Sequence, residues 1–104
     1  MKIQINTDNN IIASDELRVS FTSLILNDLS RYNDQITTLE VHLSDEDGHK
    51  DSHNDKRCMI EARLEGMKPI AVTNQADSHE LALTGAIDKL KSSIDNIEGR
   101  LRNY

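Results

Sequence analysis

The chain of 104 residues has no tryptophan, one cysteine, one proline and four glycines, and only Phe21, Tyr32 and Tyr104 are aromatic. A lone Cys58 excludes an internal disulfide and makes the reducing cytosol the default compartment. With so few aromatics, the core must come from Leu, Ile, Val and Ala. No apolar run approaches the roughly 18–20 residues of a membrane-spanning helix. Met1-Lys2-Ile3-Gln4-Ile5-Asn6 alternates and turns polar at once, which reads against a signal peptide. Glycine-rich phosphate loops, a nucleophile elbow and a Cys-x-x-Cys pair are all missing. The length suits one domain over residues 1–104.

Positive charge is also scarce. Twelve Lys and Arg face eighteen Asp and Glu, for a net charge of −6. Such acidity ordinarily argues against nucleic-acid binding. Its distribution softens that argument. Residues 44–55 hold Asp45, Glu46, Asp47, Asp51 and Asp55 against Lys50 alone, so most of the net charge belongs to one loop.

Lys2 to Thr7 alternates, with Ile3 and Ile5 on one face, and reads as a first strand. After the turn-forming Asp8-Asn9-Asn10, Ser14 is a candidate N-cap, with Asp15 and Glu16 placed where the helix dipole favours acids. Leu17, Phe21, Leu24, Ile25 and Leu29 mark one helical face, and the helix is expected to run to about Tyr32. Leu39, Val41 and Leu43 alternate with Glu40 and His42 as a half-buried strand. Cys58, Ile60, Ala62 and Leu64 alternate with Met59, Glu61 and Arg63 as its partner. Gly66-Met67 is a tight connection to a strand containing Ile70 and Val72, and Pro69 suits a strand start or an edge. Asp77 or Ser78 caps a long last helix with an apolar seam of Leu83, Ile87, Leu90, Ile94, Ile97 and Leu101. The expected fold is α+β: β-α-β-β-β-α, a four-stranded sheet with two helices packed on one face.

The stretch from Ser44 to Arg57 looks suited to a metal, with its carboxylates, His49, His53 and the adjacent Cys58. The spacing fails as an EF-hand loop. Started at Asp45, Gly48 falls at the fourth place instead of the sixth; started at Leu43, the first ligand is lost. A zinc set of His49, His53 and Cys58, with or without His42, needs a helix that Gly48 and the Asp, Ser and Asn residues disfavour. It also needs Cys58 to leave the core face. A solvated hairpin loop with no metal and no cofactor is the expectation. Glu40 and Glu61 imitate a catalytic carboxylate pair but read as a cross-strand surface pair beside Arg63. Cys58 reads as a buried, inert thiol. The chain is therefore not expected to be an enzyme.

The basic residues are Lys89, Lys91, Arg100 and Arg102 on the last helix, Lys56 and Arg57 at the loop exit, and Arg18 and Arg31 on the first helix. On the last helix they are interspersed with Glu80, Asp88, Asp95 and Glu98, a pattern that commonly means only a solvated face.

Taken in order, the element pattern, Leu43-Ser44-Asp45 with Gly48, the run Asp55-Lys56-Arg57-Cys58, and Ala86-Ile87-Asp88-Lys89-Leu90 resemble the short ribosome hibernation-promoting factors, which include the stationary-phase ribosome-associated inhibitors. The resemblance spans nearly the whole chain. It implies a cytoplasmic, non-enzymatic factor that binds the decoding channel of the small ribosomal subunit and inhibits translation in stationary phase or stress. It also implies a basic groove between the two helices that holds ribosomal RNA phosphates. By this matching the RNA-binding residues are Lys89, Lys91, Arg100, Arg102, Lys56, Arg57 and Arg31, with no membrane and no small-molecule substrate involved. The family tends to carry Lys or Arg on exposed helix faces, where the corresponding positions here include Ile25, Asp28, Ser92, Asn96 and Glu98. That departure motivates an alternative, a protein-interaction or regulatory module that kept the fold and lost ribosomal RNA binding.

Overall fold

The computed structural model describes residues 1–8, 14–45 and 55–102, with the side chains of 100–102 excluded. The readings of 46–54 as a hairpin loop and of His49 and His53 as ligands lie outside the described residues. Strand β1 (Lys2–Thr7) leads to helix α1 (Asp15–Asp28) and a short 3₁₀ turn (Ser30–Tyr32). Strands β2 (Ile36–Asp45), β3 (Lys56–Leu64) and β4 (Ile70–Ala76) follow, and helix α2 (His79–Arg102) comes last. The sheet order is β1-β2-β3-β4, with β1 parallel to β2 and the other pairs antiparallel. This is the α+β arrangement expected from the pattern.

Alternation decides which face is covered. Leu39, Val41 and Leu43 on β2, and Cys58, Ile60, Ala62 and Leu64 on β3, are buried beside Phe21 and Ile25 of α1 and Leu83, Ile87, Leu90 and Ile94 of α2. The opposite face carries Glu40, His42, Met59, Glu61 and Arg63, none of which is buried.

Three local differences from the sequence reading have simple causes. α1 ends four residues early because Leu29 leaves helical geometry (φ −105°, ψ 16°) after donating its N–H to the Ile25 carbonyl at 2.9 Å. The 3₁₀ turn then carries Tyr32 into the core. β2 and β3 extend further toward the loop than hydrophobic alternation alone marks, since Ser44 pairs with Arg57 and Asp45 with Lys56. The α2 cap is resolved in favour of Ser78, whose Oγ accepts the Leu81 N–H at 3.1 Å.

Two glycines have structural reasons. Gly66 turns β3 into β4 with φ 73°, a left-handed conformation that side chains disfavour. Gly85 lets α2 lie against β4: a Cβ there would sit 2.0 Å from Nδ2 of Asn74, which donates to the Ala82 carbonyl at 3.3 Å.

Candidate nucleic-acid interface

Helix α2 supplies four of the seven expected contact residues, and its two lysines have no carboxylate partner among the described residues. Lys89 is exposed, and its Nζ donates to the Thr73 carbonyl of β4 at 2.7 Å. That contact orients the ammonium along the edge strand without neutralising it. Lys91 is half-exposed, and two residues' separation sets it about 200° around the helix axis from Lys89, on the opposite flank. Arg100 and Arg102 lie at the end of the same helix.

The other predicted residues have acidic or distant surroundings. Arg31 follows α1 and reaches across to α2, where its Nη2 contacts Asp95 at 3.1 and 3.2 Å. It also hydrogen-bonds the Tyr32 hydroxyl and lies 4.7 Å over the Tyr32 ring, while that hydroxyl donates to Asp95 at 2.9 Å. The Tyr32 hydrogen bond and then the Asp95 charge hold the Arg31 guanidinium above its ordinary pKa. With 71% of its side chain exposed, Arg31 remains open to solvent but is charge-compensated. Lys56 is clamped between Asp55 at 3.0 Å and Asp45 at 3.1 Å, and those two carboxylates, Asp55 foremost, raise its pKa. Asp55 is itself buried, so this pairing is part of the hairpin's construction. Arg57 is half-buried and, by strand alternation, lies on the face opposite Lys56.

The five of these residues whose side chains are described therefore do not converge on one patch. Lys56 and Arg57 mark the end of the sheet where β2 meets β3, on opposite faces. Arg31 sits by the C-terminal half of α2, and Lys89 flanks β4. Arg18, the basic residue of α1, donates to the Ile5 carbonyl at 2.5 Å. In place of cations, α1 exposes Val19 (66%) and Leu26 (46%), seven residues apart on one flank. Ile25 is wholly buried. Its assignment to an exposed, ordinarily basic position is corrected: in the register of α1 it belongs to the core face with Phe21.

The partners of Lys56 and Arg31 were missed in the sequence. Asp45 opposite Lys56 follows from the register once Leu43 is set against Cys58, so a signal existed. Asp95 beside Arg31 rests on the packing of two elements sixty-four residues apart and left no local trace.

A layer of two helices over one face of a mixed four-stranded sheet defines a small α+β domain. Residues 3–102 match the family model described as sigma 54 modulation protein / S30EA ribosomal protein, and the chain belongs to that family. This bears out the hibernation-promoting-factor resemblance. The fold is similar to that of a ribosomal subunit interface protein from Coxiella burnetii, with a TM-score of 0.74 and 17% identity over 95% of this chain and 99% of that one. It is also similar to the N-terminal domain of Thermus thermophilus Protein Y, with a TM-score of 0.72 and 23% identity over 93% of this chain and 99% of that one. No curated protein sequence matches this chain significantly.

Proposed function

We propose that this protein is a non-enzymatic, cytoplasmic ribosome-associated factor that binds the decoding channel of the small subunit and inhibits translation in stationary phase or stress. Family membership over residues 3–102 is the observation that carries the reading. Lys89 and Lys91, which have no carboxylate partner among the described residues, support it chemically. Lys89, Lys91, Arg100 and Arg102 are the principal phosphate-binding residues, and Arg31, Lys56 and Arg57 contribute through charges that neighbouring groups partly offset. Contact of this kind is directed to the RNA backbone and reads shape more than sequence.

The acidic neighbours set a quantitative expectation. Each phosphate neutralised contributes about 0.7–0.9 to the slope of log affinity against log salt, on scales set for single strands and DNA. With four principal contacts, the slope should be on the order of −3. Replacing Lys89, Arg100 and Arg102 together by Glu abolishes co-sedimentation with small subunits if the assignment is right. Unchanged binding by a folded triple variant refutes it.

Exposed Val19 and Leu26 favour a second reading, in which α1 presents an apolar strip to a protein and ribosomal RNA binding has been lost. A pull-down that yields a stoichiometric protein without ribosomal RNA selects it.

A further inference from the structure

The open face of the sheet carries a cluster that ribosome binding through α2 does not use. Glu40 on β2 and Glu61 on β3 are directly opposite each other in the antiparallel register. Like charges so placed repel, which is destabilising unless a cation lies beside them. Among the described residues, the basic side chain within ion-pair distance of either carboxylate is His42. Its Nε2 lies 3.6 Å from Glu40 Oε2 and 3.4 Å from Glu61 Oε1. Both distances exceed a good N–H···O bond. The Nε2 atom is shielded from solvent and has no hydrogen-bond partner, although the ring as a whole is part-exposed. One ligand atom from each of the three residues lies within 4.8 Å of the other two.

These separations match those of metal ligands. Tetrahedral zinc with bonds of about 2.0–2.1 Å places neighbouring ligand atoms roughly 3.3–3.4 Å apart. The two histidine–carboxylate spacings already approach that value, and the carboxylates close the third edge by side-chain rotation. The support for the ring is also present. The Asn6 amide lies 3.5 Å from His42 Nδ1, and Gln4 reaches Asn6 at 3.3 Å. Exchanging oxygen for nitrogen in both amides preserves their shape. Asn6 Oδ1 then accepts from Nδ1–H, which directs the Nε2 lone pair at the carboxylates, the orientation that metal-bound histidines take.

We propose that Glu40, His42 and Glu61 form a binding site for a divalent transition-metal ion of the zinc type, held by one imidazole nitrogen and two carboxylates, with a fourth position open to solvent. Asn6 is a positioning residue for the imidazole. The site shares only His42 with the set of His49, His53 and Cys58, with or without His42, considered from the sequence, and Cys58 lies on the opposite, buried face.

The test is calorimetric titration of the full chain with Zn²⁺ at neutral pH, accompanied by visible spectra with Co²⁺. One ion should bind per chain at micromolar protein, and Co²⁺ should give tetrahedral bands without a thiolate charge-transfer band. His42→Gln should eliminate binding, Glu61→Gln should weaken it strongly, and Asn6→Ala should weaken it by about tenfold. All three substitutions fall on the open face, so the metal-free variants should remain folded and unfold cooperatively in urea. A His49→Ala/His53→Ala variant should bind as wild type does. Absence of heat with wild type, binding that survives His42→Gln, or binding lost with His49 and His53 each overturns the proposal.

Discussion

Replacing Gly85 by Ala should destabilise this protein, although helix propensity alone favours the change. In the interior of a helix, Ala is better than Gly by about 0.8–1.0 kcal/mol. Against that gain, the new methyl would meet Asn74 Nδ2 at 2.0 Å and Cγ at 2.7 Å, well inside contact distance. Asn74 must turn away, which breaks its hydrogen bond to the Ala82 carbonyl, or α2 must lift from β4. A lost hydrogen bond costs about 0.5–1.5 kcal/mol, or local overpacking about 1–3 kcal/mol, so after the propensity gain the net loss should be up to about 2 kcal/mol. In an Asn74→Ala background the obstruction is gone, and the same Gly85→Ala substitution should stabilise by up to about 1 kcal/mol. Urea unfolding of the four proteins, with equal m-values, measures this reversal of sign as a coupling of about 1–3 kcal/mol. Additive effects, or a stabilising Gly85→Ala in the wild-type background, would refute the close approach of α2 to β4.

Two further outcomes follow from specific contacts. Burial pushes the Cys58 thiol up to about 12, from 9.0, so between those values the unfolded chain ionises where the folded one does not. Stability from this group is therefore complete below about pH 9 and falls as pH rises toward 12. Cys58→Ala should show a shallower loss between pH 9 and 10 than wild type, and an identical slope would place the thiol in contact with water. Asp95→Asn should release Arg31 from its charge partner and steepen the salt dependence of small-subunit binding by about 0.7–0.9. Because the pair is exposed and the introduced amide oxygen can still accept from the Tyr32 hydroxyl, unfolding should change by less than about 1 kcal/mol. Unchanged or weaker ribosome binding in that variant would remove Arg31 from the interface.

The element order was legible because each element's period is strong. Leu83 to Ile94 can only be one face of a long helix, and Cys58 to Leu64 alternates without interruption. The strand ends near Asp45 and Lys56 were not legible. Hydrophobic alternation stops before them, and an ion pair continues the ladder in its place. The end of α1 was misjudged because Tyr32 is buried and extends the apolar pattern, but it reaches the core from a 3₁₀ turn. Individual basic residues could be named from the sequence, yet their neutralisation could not. Asp95 meets Arg31, and Asp55 meets Lys56, through folding and register, which a linear charge count does not contain. The glutamates facing each other across β2 and β3 were visible as a pair. The orphaned Nε2 of His42 between them required the structure.

Whether the α2 cations suffice for ribosome binding despite the chain's acidity is tested most directly by sedimentation of the purified protein with separated ribosomal subunits, over a salt series. Association with the small subunit is expected at low salt, weakening with a log–log slope on the order of −3. Absence of association at the lowest salt, or salt-independent binding to both subunits, would contradict a phosphate-directed role for α2.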